Sequence, residues 1–145
     1  MLKAALAAQI TALAEAGVTD FYSGGADGVD CWAALIALEL RKKNPVLNLH
    51  LILPHEGQAD KWSDSAQERY HSILSQADSV DYVSRKYYDG RMLDRNHRLV
   101  DAADLLLAVY NGERRGGTSA TVRYARKTGH KITILDPVSL KVSSG

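Results

Sequence analysis

Residues 116–121 read Gly-Gly-Thr-Ser-Ala-Thr, and residues 23–30 read Ser-Gly-Gly-Ala-Asp-Gly-Val-Asp. Each is a glycine-rich turn leading from an apolar stretch into helix-forming sequence. Glycine lets the backbone approach another group closely. The first amides of a helix lack partners within it and carry partial positive charge, so such a turn suits an anion. In the second turn Thr118 and Thr121 add hydroxyl donors, and Arg114 and Arg115 stand just upstream. A plain glycine turn with a threonine cap accounts for the same residues, and the local sequence does not separate the two. The first turn differs, because Asp27 and Asp30 would repel a phosphate; they suit ribose hydroxyls or an amine. They also suit a purely local role, Asp27 as a cap and Asp30 as the complement of the helix dipole.

Arg91, Arg95 and Arg98 are spaced by four and three, which puts them on one helical face. A solvated basic face is the ordinary fate of such a run. It gains interest here because it opens a helix just after a strand. The five histidines are scattered, and His55-Glu56 lacks the second histidine of a zinc-protease helix. The chain contains no Gly-x-x-x-x-Gly-Lys-Ser/Thr loop, no Gly-x-Gly-x-x-Gly fingerprint and no Gly-x-Ser-x-Gly elbow.

Hydrophobic periodicity predicts the elements that position these residues. Helices are expected over 2–16, 28–43, 63–76, 90–103 and 118–128, and strands over 19–23, 47–53, 80–83, 105–110 and 131–135. Alternating strands and helices imply an α/β fold of Rossmann-like, doubly wound type: a mostly parallel sheet with helices on both faces. The 105–110 run is apolar without alternation, as a central parallel strand should be. In such a sheet ligands sit beyond the carboxyl ends of the strands. The loops after the first four strands, 23–30, 54–58, 84–90 and 111–118, therefore share one end of the molecule.

The bulk numbers fit one domain over 1–138 with a flexible tail at 139–145. The chain has 145 residues, 46% of them hydrophobic, and a formal charge of +1. Near-neutral charge argues against a broad nucleic-acid or anionic-membrane footprint. No apolar run reaches a membrane span, and the amino terminus lacks the pattern of a secretory signal. Cys31 is the single cysteine, set in an apolar helical run; this predicts a buried thiol and a reducing, cytoplasmic setting.

Four motifs in order carry a resemblance. They are Ser23-Gly-Gly-Ala-Asp-Gly-Val-Asp30-Cys-Trp32; Pro54-x-Glu56-Gly57-Gln58 with Trp62 and Tyr70; Tyr88-x-Gly90-x-Met92-x-x-Arg95-Asn96; and Gly116-Gly117-Thr118 with Thr121. Together they resemble the YpsA-like family of the SLOG superfamily, which is related to the Lonely Guy phosphoribohydrolases and to DNA-processing protein A. The resemblance implies a pocket for a nucleotide or a derivative such as ADP-ribose between the two glycine turns. On it, Gly116, Gly117, Thr118 and Thr121 would hold phosphate. Ser23, Gly24, Gly25 and Asp27 would line the sugar side with Asp30 behind them. Arg95 and Asn96 would clamp from the third of the strand-following helices, Gln58 would touch base or ribose, and Glu56 is a further candidate.

Two departures follow from the same resemblance. Family members usually begin with a strand ahead of the first helix; without it the sheet has a gap, to be filled by an upstream segment of the natural protein, closed differently or filled by a partner. The hydrolases carry a glutamate where Thr121 stands and a lysine where Asn96 stands, which argues against their chemistry. The expectation is therefore a binding or regulatory domain for a small nucleotide-like ligand, associating with further copies of itself. A nucleotide hydrolase using Asp27 or Glu56 is one alternative. A single-strand DNA binder using Lys86, Tyr87, Tyr88 and Arg91 is another.

Overall fold

The computed structural model describes residues 1–84 and 89–145. Its elements follow the order α1 (Leu2–Glu15), β1 (Asp20–Ser23), α2 (Val29–Lys43), β2 (Asn48–Leu53), α3 (Asp64–Gln76), β3 (Ser79–Tyr82), α4 (Arg91–Ala102), β4 (Leu105–Val109), α5 (Gly117–Lys127), β5 (Lys131–Leu135) and β6 (Val142–Ser144). The architecture is the expected Rossmann-like α/β alternation. Local chemistry sets several boundaries. Ser63 caps α3 by accepting from the Ala66 amide at 3.3 Å, and Arg41, Lys42 and Lys43 close α2 at its negative end.

The strands form two sheets. One has the parallel order β1-β2-β3; in the other β4 pairs parallel with β5, and β6 pairs antiparallel with β5. Two expectations change accordingly. The 105–110 stretch is an edge strand, with β5 its one strand partner. Its unbroken apolarity still has a physical cause, because both of its faces are covered: Leu106 and Ala108 join the cluster of Val100, Val122, Ala125 and Ile132, while Leu107 and Val109 join that of Leu6, Ile10 and Leu135. The tail does not fray throughout. Asp136 accepts from the Val138 and Ser139 amides, which turns the chain back so that residues 142–144 pair with β5.

Three apolar clusters hold the layers. One lies between the first sheet and α2 and α3, around Leu49, Leu51, Leu53, Tyr70 and Ile73. The second lies between the other sheet and α4 and α5. The third is built on α1, whose Leu6 and Ile10 gather Phe21 of β1 and Leu107 and Val109 of β4. Thus α1 ties the half-sheets on one face, and α4 packs on β1, β2 and α5. Between β1 and β4 lies a cavity of about 990 Å³ lined along both strands.

Residues packed on all sides lose more on truncation than residues beside open space. Leu51→Ala, in the middle of β2, should cost about 2–5 kcal/mol in urea unfolding. Leu107→Ala, which faces the cavity, should cost less.

Candidate functional site

The carboxyl end of that cavity collects the side chains that the glycine turns bring in. Ser23, Gly24, Ala26, Asp27 and Asp30 line it from the turn after β1, Arg95 and Asn96 from α4, and Gly117, Thr118 and Thr121 from α5. The two glycine turns and the α4 pair, distant in sequence, therefore share one crevice. Gly25, Glu56, Gln58 and Gly116 are not among its lining residues.

Arg95 is the centre of this arrangement. It is 3% exposed. Its Nη1 donates to the Gly24 carbonyl at 2.6 Å and its Nε to Asn96 Oδ1 at 2.8 Å. The solvated basic face that could have hosted it is therefore not its fate. A Cβ at Gly24 would stand 2.4 Å from Arg95 Nη1, so a larger residue there displaces the guanidinium. Asp30 lies across from the guanidinium. Burial pushes its carboxyl above the usual carboxylate range, while the Arg95 charge and the Ala26 amide, which donates to it at 3.3 Å, pull the other way. Burial likewise works against the charge on Arg95, and Asp30 supports it.

The first glycine turn spends its amides internally. Gly25 N–H donates to Ser23 Oγ, Ala26 N–H to Asp30 and Gly28 N–H to Asp27. Ser23 in turn donates to the Asp30 carbonyl at 3.0 Å. Asp27, more than half exposed, also lies 3.6 Å from Arg69. Its own side chains thus meet three amides of the turn, whereas among the described residues no acceptor meets the Val29 and Asp30 amides that open α2, whose cap is Gly28 at φ 94°. The start of α5 is alike. Its cap is Gly116, at φ 105°, and no side chain bonds back to it. Among the described residues no acceptor meets the amides of Gly117 and Thr118, and Ala120 makes the first bond of the helix. Thr121 does not aim a free hydroxyl into the crevice; it donates to the Gly117 carbonyl at 2.8 Å.

Gln58 sits behind the first turn. Its Nε2 contacts the Gly24 carbonyl at 3.4 Å and the Tyr70 hydroxyl at 3.5 Å. Trp62 packs edge-on against Tyr70 with centroids 5.1 Å apart, and Gly25 lies against Leu53 and Tyr70. The motif at 54–70 therefore braces the turn from below. Glu56 is exposed, away from the crevice. Cys31 is buried as expected, its Sγ 3.5 Å from the Gly25 carbonyl, and burial pushes its thiol up to about 11. Lys86, Tyr87 and Tyr88, the aromatic part of the DNA-binding alternative, lie outside the described residues.

Sequence reasoning missed two polar groups. Ser119 is buried in the first turn of α5, where its Oγ is bonded by Arg123 at 2.6 Å and lies 3.3 Å from the Tyr110 hydroxyl. At the amino end of the first sheet, His50 bridges Asp20 at 2.8 Å and Ser79 at 2.7 Å, with Tyr22 stacked on its ring. The signal for the second group was the strand register, which pairs His50 with Tyr22 and with Ser79.

The YpsA family model, described as "YspA SLOG family", matches residues 1–140. The chain belongs to that family. A UPF0398 protein of Halalkalibacterium halodurans is 34% identical over 128 residues, 87% of this chain and 68% of the relative. UPF0398 proteins of Bacillus thuringiensis strain Al Hakam and Bacillus cereus strain AH187 are 34% identical over 130 residues, 88% of this chain and 71% of each relative. Membership supports a nucleotide-related domain at a coarse level. No helix among the described residues is long and apolar enough to cross a membrane.

The raised Asp30 carboxyl gives a pH signature. Its proton is held more tightly in the folded chain, so its contribution to stability is full below the unfolded value near 3.8 and is lost as pH rises through the folded one. NMR titration of the Asp30 carboxyl carbon should give a midpoint above 3.8, and Arg95→Met should move it higher still. Gly24→Ala should displace Arg95 from its carbonyl and cost about 1–3 kcal/mol in urea unfolding.

Proposed function

We propose that this YpsA-family chain binds a nucleotide or nucleotide-derived ligand in the crevice between the first glycine turn and the start of α5. The observation that carries the reading is the pairing of an uncapped helix amino end with a buried arginine on one cavity wall. Phosphate would take the Gly117 and Thr118 amides, with Asn96 beside it. The sugar would lie toward Gly24 and Asp27. Arg95, held by Gly24, would supply fixed positive charge. A reducing cytoplasmic setting agrees with the buried thiol of Cys31, and association of copies would use the outer strand edges.

A second reading, hydrolysis of the bound ligand at its N-glycosidic bond, draws support from Asp30, whose carboxyl burial favours in the protonated form needed for donation to a leaving group. Asp27 and Glu56 serve that role less well, one being exposed and salt-bridged and the other off the cavity wall.

The test is isothermal titration with AMP and ADP-ribose, with inorganic phosphate as reference. Gly117→Pro removes one amide at the first helical position, where proline is well tolerated. It should keep the fold and weaken binding roughly 10- to 100-fold, the worth of one hydrogen bond to a charged group. Millimolar nucleotides that give no heat, or binding indifferent to Gly117→Pro, would overturn the binding reading. Turnover of either nucleotide, abolished by Asp30→Asn, would establish the second.

A further inference from the structure

We propose that Asp20, His50 and Ser79, at the amino end of the first sheet, form a second site in which Ser79 is an activated nucleophile for acyl transfer from a small uncharged or cationic ester. The inference goes beyond the nucleotide reading. The crevice lies past the carboxyl end of β1, and none of these three residues belongs to the glycine turns.

Each strand of the sheet supplies one residue. Asp20 opens β1, Ser79 opens β3, and His50 lies in β2 between them. The register pairs His50 with Ser79 directly and sets Asp20 opposite Asn48, two residues back along β2. Residues two apart on a strand point to one face, so the three side chains meet there. His50 Nε2 lies 2.8 Å from Asp20 Oδ1, and His50 Nδ1 lies 2.7 Å from Ser79 Oγ.

These bonds fix where the protons sit. Thr19 donates to Asp20 Oδ2 at 3.0 Å and Asn48 to Oδ1 at 3.3 Å. Led by the His50 bond, they hold the Asp20 carboxyl below its usual range and so charged. A carboxylate only accepts, so Nε2 of the imidazole carries the proton. The neutral ring then presents its lone pair at Nδ1, and the Ser79 hydroxyl donates to it. A nucleophile, a base and a group that orients the base are recognised by such roles and not by chain order. Tyr22 stacks on the imidazole with centroids 4.8 Å apart, which steadies its plane.

The surroundings suit the chemistry. Among the described residues β3 has β2 as its one strand partner, and the Asp78 amide points inward to the Leu49 carbonyl at 2.8 Å. Successive amides of a strand point to opposite sides, so the Ser79 N–H faces the open edge as a donor for a developing oxyanion. Asp81, two residues along β3 on the same face, is exposed. Two carboxylates beside the nucleophile repel anionic esters. In the reaction Ser79 Oγ bonds to the ester carbonyl carbon while its proton passes to His50 Nδ1. The carbon–oxygen bond to the alcohol then breaks, and the alcohol oxygen takes that proton. Water attacks the acyl-serine in the same way, giving a proton to Nδ1 that returns to Ser79 Oγ, and the acyl group leaves as a carboxylic acid. Asp20 is a positioning residue, acting through the charge it offers to the imidazolium.

The test is incubation of the intact chain with p-nitrophenyl acetate, following nitrophenol release and mapping the acetyl group by mass spectrometry. Ser79 should become acetylated and release should continue through repeated turnover. Ser79→Ala, which removes only a half-buried hydroxyl, should abolish both while circular dichroism shows the fold intact. His50→Gln should slow release about 100-fold or more. Asp20→Asn should lower kcat about tenfold or more and leave KM unchanged, a split that mere loosening of the sheet would not give. Three results overturn the proposal: acetyl groups confined to lysines or histidines, release indifferent to Ser79→Ala, or Ser79 acetylated equally fast in folded His50→Gln.

Discussion

The bond from Arg95 to the Gly24 carbonyl is the constraint on which the rest of the site depends. A guanidinium buried to 3% exposure carries a large desolvation cost, offset by a 2.6 Å bond to a backbone oxygen, a second bond to Asn96 and a facing carboxylate. It also reaches across the molecule. Arg95 belongs to α4, which packs on α5, β1 and β2, and Gly24 directly follows β1. One side chain thus ties α4 to the first glycine turn. It leaves too little room for a Cβ at position 24, and it makes Asp30 a neighbour whose protonation and the arginine's charge are coupled.

The motifs divide their labour in a way that follows from hydrogen-bond satisfaction. Buried backbone donors need partners. The first turn meets this need with its own Ser23, Asp27 and Asp30, and leans on Leu53, Gln58 and Tyr70 beneath it. It is a rigid rim. The turn before α5 leaves the Gly117 and Thr118 amides open at an exposed surface, where water satisfies them.

The gap between β1 and β4 is the structural counterpart. Parallel sheets hide both faces and rarely leave an interior edge unpaired. Here α1 and α4 cover the two faces of the cavity that lies between them. The crevice with the glycine turns lies at the carboxyl end of the same opening.

The sequence by itself determined what local periodicity and turn chemistry can specify. These were the α/β alternation, the five helices and the five strands of the Rossmann-like order, the buried Cys31, and the meeting of residues 23–30, 95–96 and 117–121 at one end of the sheet. The family was legible too, because four motifs occurred in the right order. Only the tertiary structure decided which donors are already spent. Whether Gly25, Ala26 and Gly28 amides are free depends on the rotamers of Ser23, Asp27 and Asp30, which spacing does not encode. The placement of Gln58 beneath the turn and of Arg95 in the interior was likewise decided by packing across elements 34 and 71 residues apart. The edge position of β4 and the strand in the tail were also beyond local pattern. Apolar coverage looks the same on a central strand and on one beside a slot, and β6 is a three-residue exposed strand with no hydrophobic signal, held by its pairing with β5.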